Sequence, residues 1–197
     1  AGWYTSPDFS GDAVTSIATG STGNKEFYAK WTENTYTISY TTNSGTWTSG
    51  YTAPSSYKIT SSAITLPTAS NIVRTGYTFN GWYTSSDFSG DAVTSIATGS
   101  TGNKEFYAKW TINSYTLTVK PNGGTWEGKT TDQTFTQNYN TTKTIANPTR
   151  TGYTFGGWTV DGGALSETTY TFGATNGTLT ANWTIVTNTI TLEYNGG

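Results

Sequence analysis

The sequence predicts a β-rich chain built from small repeated domains, and two observations carry this prediction. Thr, Tyr, Trp and Phe, which favour strands, are abundant, whereas charged residues make up only 11% of the 197 positions. The stretch "FYAKWT" occurs at 27–32 and again at 106–111, and the related "LTANWT" follows at 179–184. Because self-similarity at a regular spacing indicates an array of like units, the repeat determines how the chain is organised.

Two long matches define the repeat. Residues 2–32 match residues 81–111 without a gap and differ at one position, Pro7 against Ser86. A second match relates "RTGYTFNGW", which begins at Arg74, to "RTGYTFGGW", which begins 76 residues later. Because the chain opens in the middle of this pattern with "AGWYTS", we expect it to be a piece of a longer array.

These matches predict four domains along the chain. Two complete repeats are expected at 33–111 and 112–184. The C-terminal part of a repeat precedes them at 1–32, and the first strand of a further repeat follows at 185–197.

The last strand of each repeat alternates between apolar and variable positions. The apolar positions stay apolar from one copy to the next, and the positions between them change. Period-two alternation places the first set on the core face and the second set toward water. The apolar set is Phe106, Ala108 and Trp110, which become Leu179, Ala181 and Trp183; Tyr107 and Lys109 become Thr180 and Asn182.

The remaining elements of a repeat are predicted from turn signals. The first strand around Tyr36–Tyr40 ends in Asn-Ser-Gly, a turn that leads to Trp47. Phe79 and Trp82 lie three residues apart, so a bulge at the intervening Gly is expected to turn the Trp inward. The following segment is loop-rich, with at most one short helix around Asp91–Ala97.

Aromatic side chains are expected to supply the core of these small domains. A domain of about 75 residues buries only about 60% of its unfolded surface, and a buried aromatic ring removes about 150–250 Å² from water. We therefore predict that the structural core contains Trp47, Phe79, Trp82, Phe106, Trp110, Trp126, Phe155, Trp158 and Trp183.

The motifs "GYTFNGW" and "FYAKWT", preceded by "YTISYTTNSGTW", resemble the Listeria–Bacteroides repeat, also called the internalin B-repeat. The resemblance covers essentially the whole chain and weakens after Trp158. It implies a β-rich α+β fold, in which small β-grasp-like domains stand in an elongated tandem array. It also implies an extracellular location on the bacterial cell surface and a role in adhesins, mostly as a spacer. No catalytic residue comes with the family.

Composition excludes several classes of chemistry. The chain has no Cys, Met or His, so thiol nucleophiles, imidazole bases and Cys/His metal sites are absent, and no cofactor is expected. The net charge of −2 and the scattered Lys and Arg residues speak against nucleic acid as a partner. No apolar run approaches the 18 residues that a membrane-spanning helix needs.

Paired carboxylates are the remaining candidates for acid–base or metal chemistry. Asp87 and Asp91 lie in "SSDFSGD", and their counterparts in the first copy are Asp8 and Asp12. Glycosidase chemistry would need the pair across a cleft, which a domain this small hardly offers. Calcium is the alternative that suits oxygen ligands on a Gly-containing turn. Asp, Ser and Gly also simply form turns, and we favour that interpretation.

Tyrosines are the candidate ligand-binding residues. Tyr83 and Tyr107, with the equivalent Tyr4 and Tyr28, stand where the third copy has Thr, so the fold does not require a ring there. Exposed rings can stack on sugars, and repetition would add avidity. The alternative, which we favour, is that the rings pair across strands and support the sheet.

The expected function is structural. Neighbouring repeats of the same chain are the expected partners, and the repeats would act as a spacer or stalk. Two alternatives stay open. One is a weak multivalent module that binds a surface glycan or protein. The other is head-to-tail assembly, in which the predicted terminal strand Thr189–Tyr194 adds to the sheet edge of another copy.

Overall fold

The computed structural model describes residues 1–196, and this range contains strands and loops but no helix. Contacts between residues divide the chain into two compact units. One unit holds Ala1–Thr41, Thr52–Pro67 and Trp82–Tyr107, and the other holds Thr42–Tyr51, Thr68–Gly81 and the chain from Ala108 onward.

Seventeen strands follow one another along the described residues. The first copy holds β1 (Gly2–Tyr4) and β2 (Tyr28–Lys30), which pair antiparallel. The second copy holds β3 (Thr35–Thr41), β4 (Thr46–Trp47), β5 (Ser56–Lys58), β6 (Ile64–Thr65), β7 (Ile72–Val73), β8 (Tyr77–Tyr83), β9 (Ser95–Ile96) and β10 (Lys104–Ile112). The third copy holds β11 (Ser114–Lys120), β12 (Gln133–Asn138), β13 (Thr142–Thr144), β14 (Tyr153–Asp161), β15 (Ala164–Ser166), β16 (Thr169–Thr171) and β17 (Gly177–Ile185).

A four-stranded sheet organises each complete repeat. In the third copy the strand order is β12-β11-β17-β14. The central strands β11 and β17 run parallel, with Val119 opposite Leu179, and both outer pairs are antiparallel. The second copy has the equivalent order β5-β3-β10-β8, again with a parallel central pair. The first and the last long strands of each repeat are therefore neighbours.

Side-chain hydrogen bonds fasten this parallel pair at both ends, and the same set occurs in both complete repeats. One Asn caps a backbone N–H at the start of the first strand. A second Asn and a Trp bond to carbonyls at the other end. In the third copy these bonds are Thr116 N–H to Asn176, Asn122 to the Ala181 carbonyl and Trp183 to the Pro121 carbonyl, at 2.9–3.0 Å. In the second copy they are Thr37 N–H to Asn103, Asn43 to Ala108 and Trp110 to Thr42, at 2.8–3.0 Å.

The inward face of the sheet forms the core of the third repeat. Leu117, Val119, Leu179 and Ala181 are fully buried, as the predicted alternation requires, whereas Asn182 is exposed. In the second repeat Phe106 and Ala108 are buried in the same way. The predicted alternation is therefore confirmed at these inward positions, whereas Trp110, Trp183, Tyr107, Lys109 and Thr180 are all half-buried. The side chains that complete the core of the third repeat are Trp126, Ile145, Tyr170 and Phe172.

The two complete repeats bury different tryptophans. Trp82 is buried in the second copy and donates to the Pro67 carbonyl at 2.7 Å. In the third copy Trp126 is buried instead and donates to the Ala146 carbonyl at 2.8 Å. Of the nine residues predicted for the core, Trp82, Phe106 and Trp126 are buried, and six are half-buried: Trp47, Phe79, Trp110, Phe155, Trp158 and Trp183.

The predicted α+β class, with its β-grasp-like helix, is wrong. The segment expected to be helical, Asp91–Ala97, is extended. Val93 donates its N–H to the Trp82 carbonyl at 2.8 Å, and β9 pairs antiparallel with β6. Val, Thr and Ile in this segment favour extended backbone, and these tertiary hydrogen bonds satisfy groups that a helix would have paired locally.

The predicted bulge is present in β14. Its register against β17 shifts between Phe155 and Trp158, and Gly157 has a φ of 102°. The equivalent Gly81 in β8 has a φ of 113°. A residue with a side chain rarely adopts such angles, so glycine permits the irregularity that redirects the Trp toward the core.

Apolar side chains are exposed in the first copy and in the last residues of the chain. Trp3 is 56% exposed, whereas its counterpart Trp82 is 1% exposed. The predicted strand Thr189–Tyr194 is not formed. The last strand ends at Ile185, and Val186 still donates its N–H to the Gly152 carbonyl at 2.9 Å. Isolated strands need a partner for their backbone groups. The final residue of the predicted fragment 185–197 lies outside the described residues.

Replacing Leu117 with Ala tests whether the sheet face is the energetic core. Leu117 is fully buried in the cluster, so we expect a loss of about 2–5 kcal/mol in the free energy of unfolding, measured by urea denaturation of the full chain. The control Thr134→Ala changes an exposed side chain of the neighbouring strand β12 and should cost less than about 0.5 kcal/mol. Equal losses would contradict this assignment of the core.

Candidate functional site

The two "DFSG" loops are turns held by their aspartates. The Asp87 carboxylate accepts hydrogen bonds from the Ser85 hydroxyl at 2.6 Å and from the Ser89 N–H at 2.9 Å. In the first copy, Asp8 accepts the equivalent bonds from Ser6 and Ser10 at 2.5 and 3.0 Å. These side-chain bonds to nearby groups are the turn chemistry of Asp and Ser.

Each aspartate turn places a phenylalanine in an unusual backbone conformation. Phe88 has a φ of 59° and Phe9 has a φ of 60°, a region that bulky residues rarely occupy. The ring of Phe88 packs edge-on against Tyr83 at 5.7 Å, and Phe9 packs against Tyr4 at 5.8 Å. The turn therefore places a phenylalanine ring against Tyr83 and against Tyr4.

Hydrogen bonds hold the pKa of the turn aspartates at about 2. The largest cause is the serine hydroxyl, Ser6 for Asp8 and Ser85 for Asp87, followed by a backbone N–H. Among residues 1–196 no group of three acidic side chains that could hold a metal ion occurs. Asp12 and Asp91 are exposed. Calcium binding at these loops stays a prediction, and the observed bonds account for Asp8 and Asp87 as turn residues.

The candidate tyrosines lie at facing positions of neighbouring strands. Tyr4 is directly opposite Tyr28, and the Lys30 ammonium lies 5.4 Å from the centre of the Tyr4 ring. The third copy has Thr159 opposite Thr180 at the same place. Tyr83 and Tyr107 are half-buried on the neighbouring strands β8 and β10.

Glutamates engage two of these tyrosine hydroxyls. A hydrogen bond to Glu105 raises the pKa of Tyr107, and a hydrogen bond to Glu26 raises the pKa of Tyr28. Tyr4 and Tyr83 thus have a packed ring, and Tyr28 and Tyr107 have a bonded hydroxyl. Whether they bind a ligand stays a prediction.

A hydrogen-bonded joint connects the second and third repeats. Asn113, between β10 and β11, donates its N–H to the Gly76 carbonyl at 2.9 Å and accepts the Tyr139 N–H at 2.8 Å. Its side-chain oxygen accepts the Thr78 hydroxyl at 2.7 Å. Through Asn113, the turn before β8 is joined to the loop after β12.

The ring of Tyr139 covers Gly76 in this joint. A Cβ at Gly76 would overlap the Tyr139 ring, and Gly76 has a φ of 76°. Tyr139 also packs edge-on against Tyr77, with ring centres 6.3 Å apart. The equivalent Gly152 has the same φ of 76°, but a Cβ there would meet nothing within 4 Å.

An arginine lines a cleft in each complete repeat. Arg74 and Arg150 are the two arginines of the chain, and both begin the motif "RTGYTF". The guanidinium of Arg74 lies 3.7 Å from the centre of the Tyr77 ring, and that of Arg150 lies 3.8 Å from the Tyr153 ring. Their Nη1 atoms donate to the Asn43 and Asn122 carbonyls at 3.1 and 3.4 Å.

Sequence reasoning missed these arginines as site residues. Their signal was available, because the sequence places its two Arg residues at equivalent positions of one motif. The cleft that these arginines line forms only when strands from distant parts of the repeat meet.

The repeated all-β units define a tandem-repeat protein. The chain belongs to the Listeria-Bacteroides repeat domain family, whose profile matches residues 1–30, 36–109 and 115–192. The resemblance inferred from the motifs is therefore confirmed.

Two relatives come from Evansella cellulosilytica. The chain is 30% identical over its whole length to a "Putative Gly-rich membrane protein", of which it spans 23%. It is 31% identical over 86% of its length to a "Putative membrane protein", of which it spans 24%. The chain thus covers about a quarter of either relative. No solved structure matches it. Residues 1–196 include no helix of the length and apolarity that crossing a bilayer requires.

The aspartate turns predict an acid-sensitive loop. The folded pKa of Asp87, about 2, lies below its ordinary value of 3.8. The turn is therefore favoured above pH 3.8, and its contribution is lost as the pH falls through about 2. Carboxyl-carbon NMR titration should show this value directly. Ser85→Ala should raise the pKa of Asp87 and leave that of Asp8 near 2; an unchanged Asp87 would contradict the assigned cause.

Proposed function

We propose that this chain is a length of spacer in a bacterial cell-surface protein, where the repeats set the distance between other parts of that protein. The observation that carries this proposal is the joint at Asn113. The backbone of Asn113 bonds to both neighbouring repeats, and the ring of its partner Tyr139 packs onto Gly76. These contacts restrict motion between the two repeats. Restricted joints are what a spacer requires of consecutive units.

The near-identity of the copies supports the same proposal. Residues 2–32 and 81–111 differ at one position, so neither copy has specialised. A spacer gains length from each added unit without needing any unit to differ. Both relatives are named as membrane proteins, and a cell-surface location outside the membrane for these repeats is part of the proposal.

Two other functions keep one supporting observation each. A multivalent adhesive module is supported by Tyr4 and Tyr28, which stand at directly opposite positions of β1 and β2. Head-to-tail assembly is supported by Ile190 and Leu192, which are 82% and 89% exposed, and by Trp31, which is 86% exposed. Sedimentation velocity over a range of concentrations tests the second alternative, because strand addition between copies would give species larger than one chain.

Gly76→Ala tests the joint, and Gly152→Ala is its matched control. Both glycines have a φ of 76° in the same motif, so each substitution carries the strain of about 1–3 kcal/mol that a side chain meets there. Only the Cβ at position 76 also overlaps Tyr139. We therefore expect Gly76→Ala to lower the free energy of unfolding more than Gly152→Ala, and Tyr139→Ala to remove the difference.

The same variants test how strongly the joint restricts motion between the second and third repeats. The chain has no Cys, so spin labels at Ser49→Cys and Asn147→Cys report one distance, by pulsed electron paramagnetic resonance. We expect a narrow distance distribution in the labelled parent and in Gly152→Ala, and a broad one in Gly76→Ala. A parent distribution as broad as that of Gly76→Ala would show a flexible joint, and the spacer proposal would fail.

A further inference from the structure

The arginine cleft of the third repeat has a composition that suits a specific ligand. The cleft has a volume of about 720 Å³. One wall carries the Arg150 guanidinium stacked on Tyr153. The other carries Phe155 and Trp183, whose ring centres lie 5.7 Å apart in an edge-on arrangement. A cation and aromatic rings thus line one opening.

The cleft recurs in the second repeat at equivalent positions. There it has a volume of about 330 Å³. Five equivalent residues line both clefts, namely Arg74, Thr75, Tyr77, Phe79 and Trp110 in one, and Arg150, Thr151, Tyr153, Phe155 and Trp183 in the other. The Tyr139 ring of the joint does not line the second-repeat cleft, which remains open beside the joint.

The guanidinium of Arg150 is placed to receive an anion. Among the described residues it donates one hydrogen bond, to the Asn122 carbonyl, although arginine carries five N–H groups. The described residues that line the cleft include no Asp or Glu to neutralise it. A Cβ at Gly123 would stand 3.3 Å from the guanidinium carbon, so glycine keeps this side of the cation uncrowded. The planar fork of arginine matches a carboxylate with two parallel hydrogen bonds.

The aromatic wall is fixed before any ligand arrives. The Trp183 indole donates to the Pro121 carbonyl at 3.0 Å, and its ring lies against Gly124, where a Cβ would overlap it. Trp183 and Phe155 are only half-buried. Rigid, partly exposed aromatic faces accept the apolar C–H face of a sugar ring at little entropic cost.

We propose that this cleft binds a sugar that carries a carboxylate, with Arg150 holding the carboxylate and Trp183 supporting the ring. The site differs from the tyrosine pairs, and it does not depend on the spacer role. One carboxylate per repeat needs no extended basic face, so the site is compatible with the net charge of −2. Repetition along an array turns weak single sites into a stronger multivalent contact.

The second-repeat cleft is the weaker member of the pair. Ile72 and Val73 line it where the third repeat has Pro148 and Thr149. The loss of the Thr149 hydroxyl and the smaller volume leave fewer polar contacts for a sugar. Binding should therefore be detected first at Trp183 and only at higher concentration at Trp110.

NMR titration of the ¹⁵N-labelled full chain tests the proposal, with the indole N–H signals of Trp183 and Trp110 as separate reporters. The acidic probes are 3′-sialyllactose and trigalacturonate, which distinguish sialic acid from uronic acid as the source of the carboxylate. The neutral probes are lactose, which matches 3′-sialyllactose without its sialic acid, and maltotriose, a trisaccharide without a carboxylate. Sodium acetate supplies a carboxylate without a sugar ring. We expect the Trp183 signal to move with at least one acidic sugar and to stay in place with the neutral probes.

Variants assign the interaction to the cleft. Arg150→Gln and Arg150→Lys should each weaken binding at Trp183 by about tenfold or more, because both remove the planar fork of donors. Since Lys keeps the positive charge, the second variant separates the effect of the fork from that of the charge. Arg74→Gln should affect only Trp110. Lys143→Gln is the control, because Lys143 lies 4.0 Å from the centre of the Phe135 ring, away from the cleft. Thr149→Val copies the second-repeat residue and should weaken binding while the fold is kept.

Several outcomes would overturn the proposal. Equal affinity for lactose and 3′-sialyllactose would show that the carboxylate is not recognised. Equal affinity for acetate and the acidic sugars would show that the sugar ring is not recognised. Unchanged affinity in Arg150→Lys would rule out recognition by the guanidinium fork. No shift of the Trp183 signal with either acidic probe, at 20 times the probe concentration that moves any other signal, would rule out binding in this cleft. Thermal unfolding of each variant identifies any loss of binding that comes from misfolding. If the arginine variants misfold, Thr149→Val tests the proposal, and unchanged binding by this variant would contradict it.

Discussion

The parallel pairing of the first and last long strands is the constraint on which each repeat depends. It joins β11 to β17, with Leu117 opposite Gly177, across about the whole length of the repeat. Such distant pairing costs loop-closure entropy and needs reinforcement. Buried Leu and Val supply it on the inner face, and Asn122 and Asn176 supply it at the strand ends. The joint and the cleft both depend on this pair, because Asn113 lies between β10 and β11, and Gly123 and Gly124, which line the cleft, follow β11.

The motif "RTGYTF" that begins at Arg74 contributes residues both to the joint and to the cleft. Its glycine receives the ring of the following repeat at Gly76, and its arginine lines the cleft through Arg74. Tyr77 lies between them, stacked by Arg74 on one side and contacted by Tyr139. Joint and cleft therefore share a ring, and the recurrence of the same short sequence places the cleft at equivalent positions in both complete repeats.

The sequence predicted the features that depend on local pattern. The repeat, the alternation through Phe106 and Ala108, and the bulge at Gly157 follow from spacing and from the conformational range of glycine. The absence of a helix did not follow, because Asp91–Ala97 is held extended by bonds to residues elsewhere in the fold. The arginine cleft was missed for the same reason. Its walls come together only through long-range strand pairing, which no local pattern reveals.

The parallel central pair also determines how a repeat bears tension. The chain enters the third repeat at the start of β11 and leaves it at the end of β17, and these strands lie side by side in the same direction. A pull on the two ends slides the strands along each other, so their hydrogen bonds and the asparagine bonds at both ends are loaded together. Antiparallel neighbours pulled from one end would open one bond at a time. The strand order thus gives each repeat a shear geometry, which resists mechanical force better than an unzipping geometry with the same number of bonds.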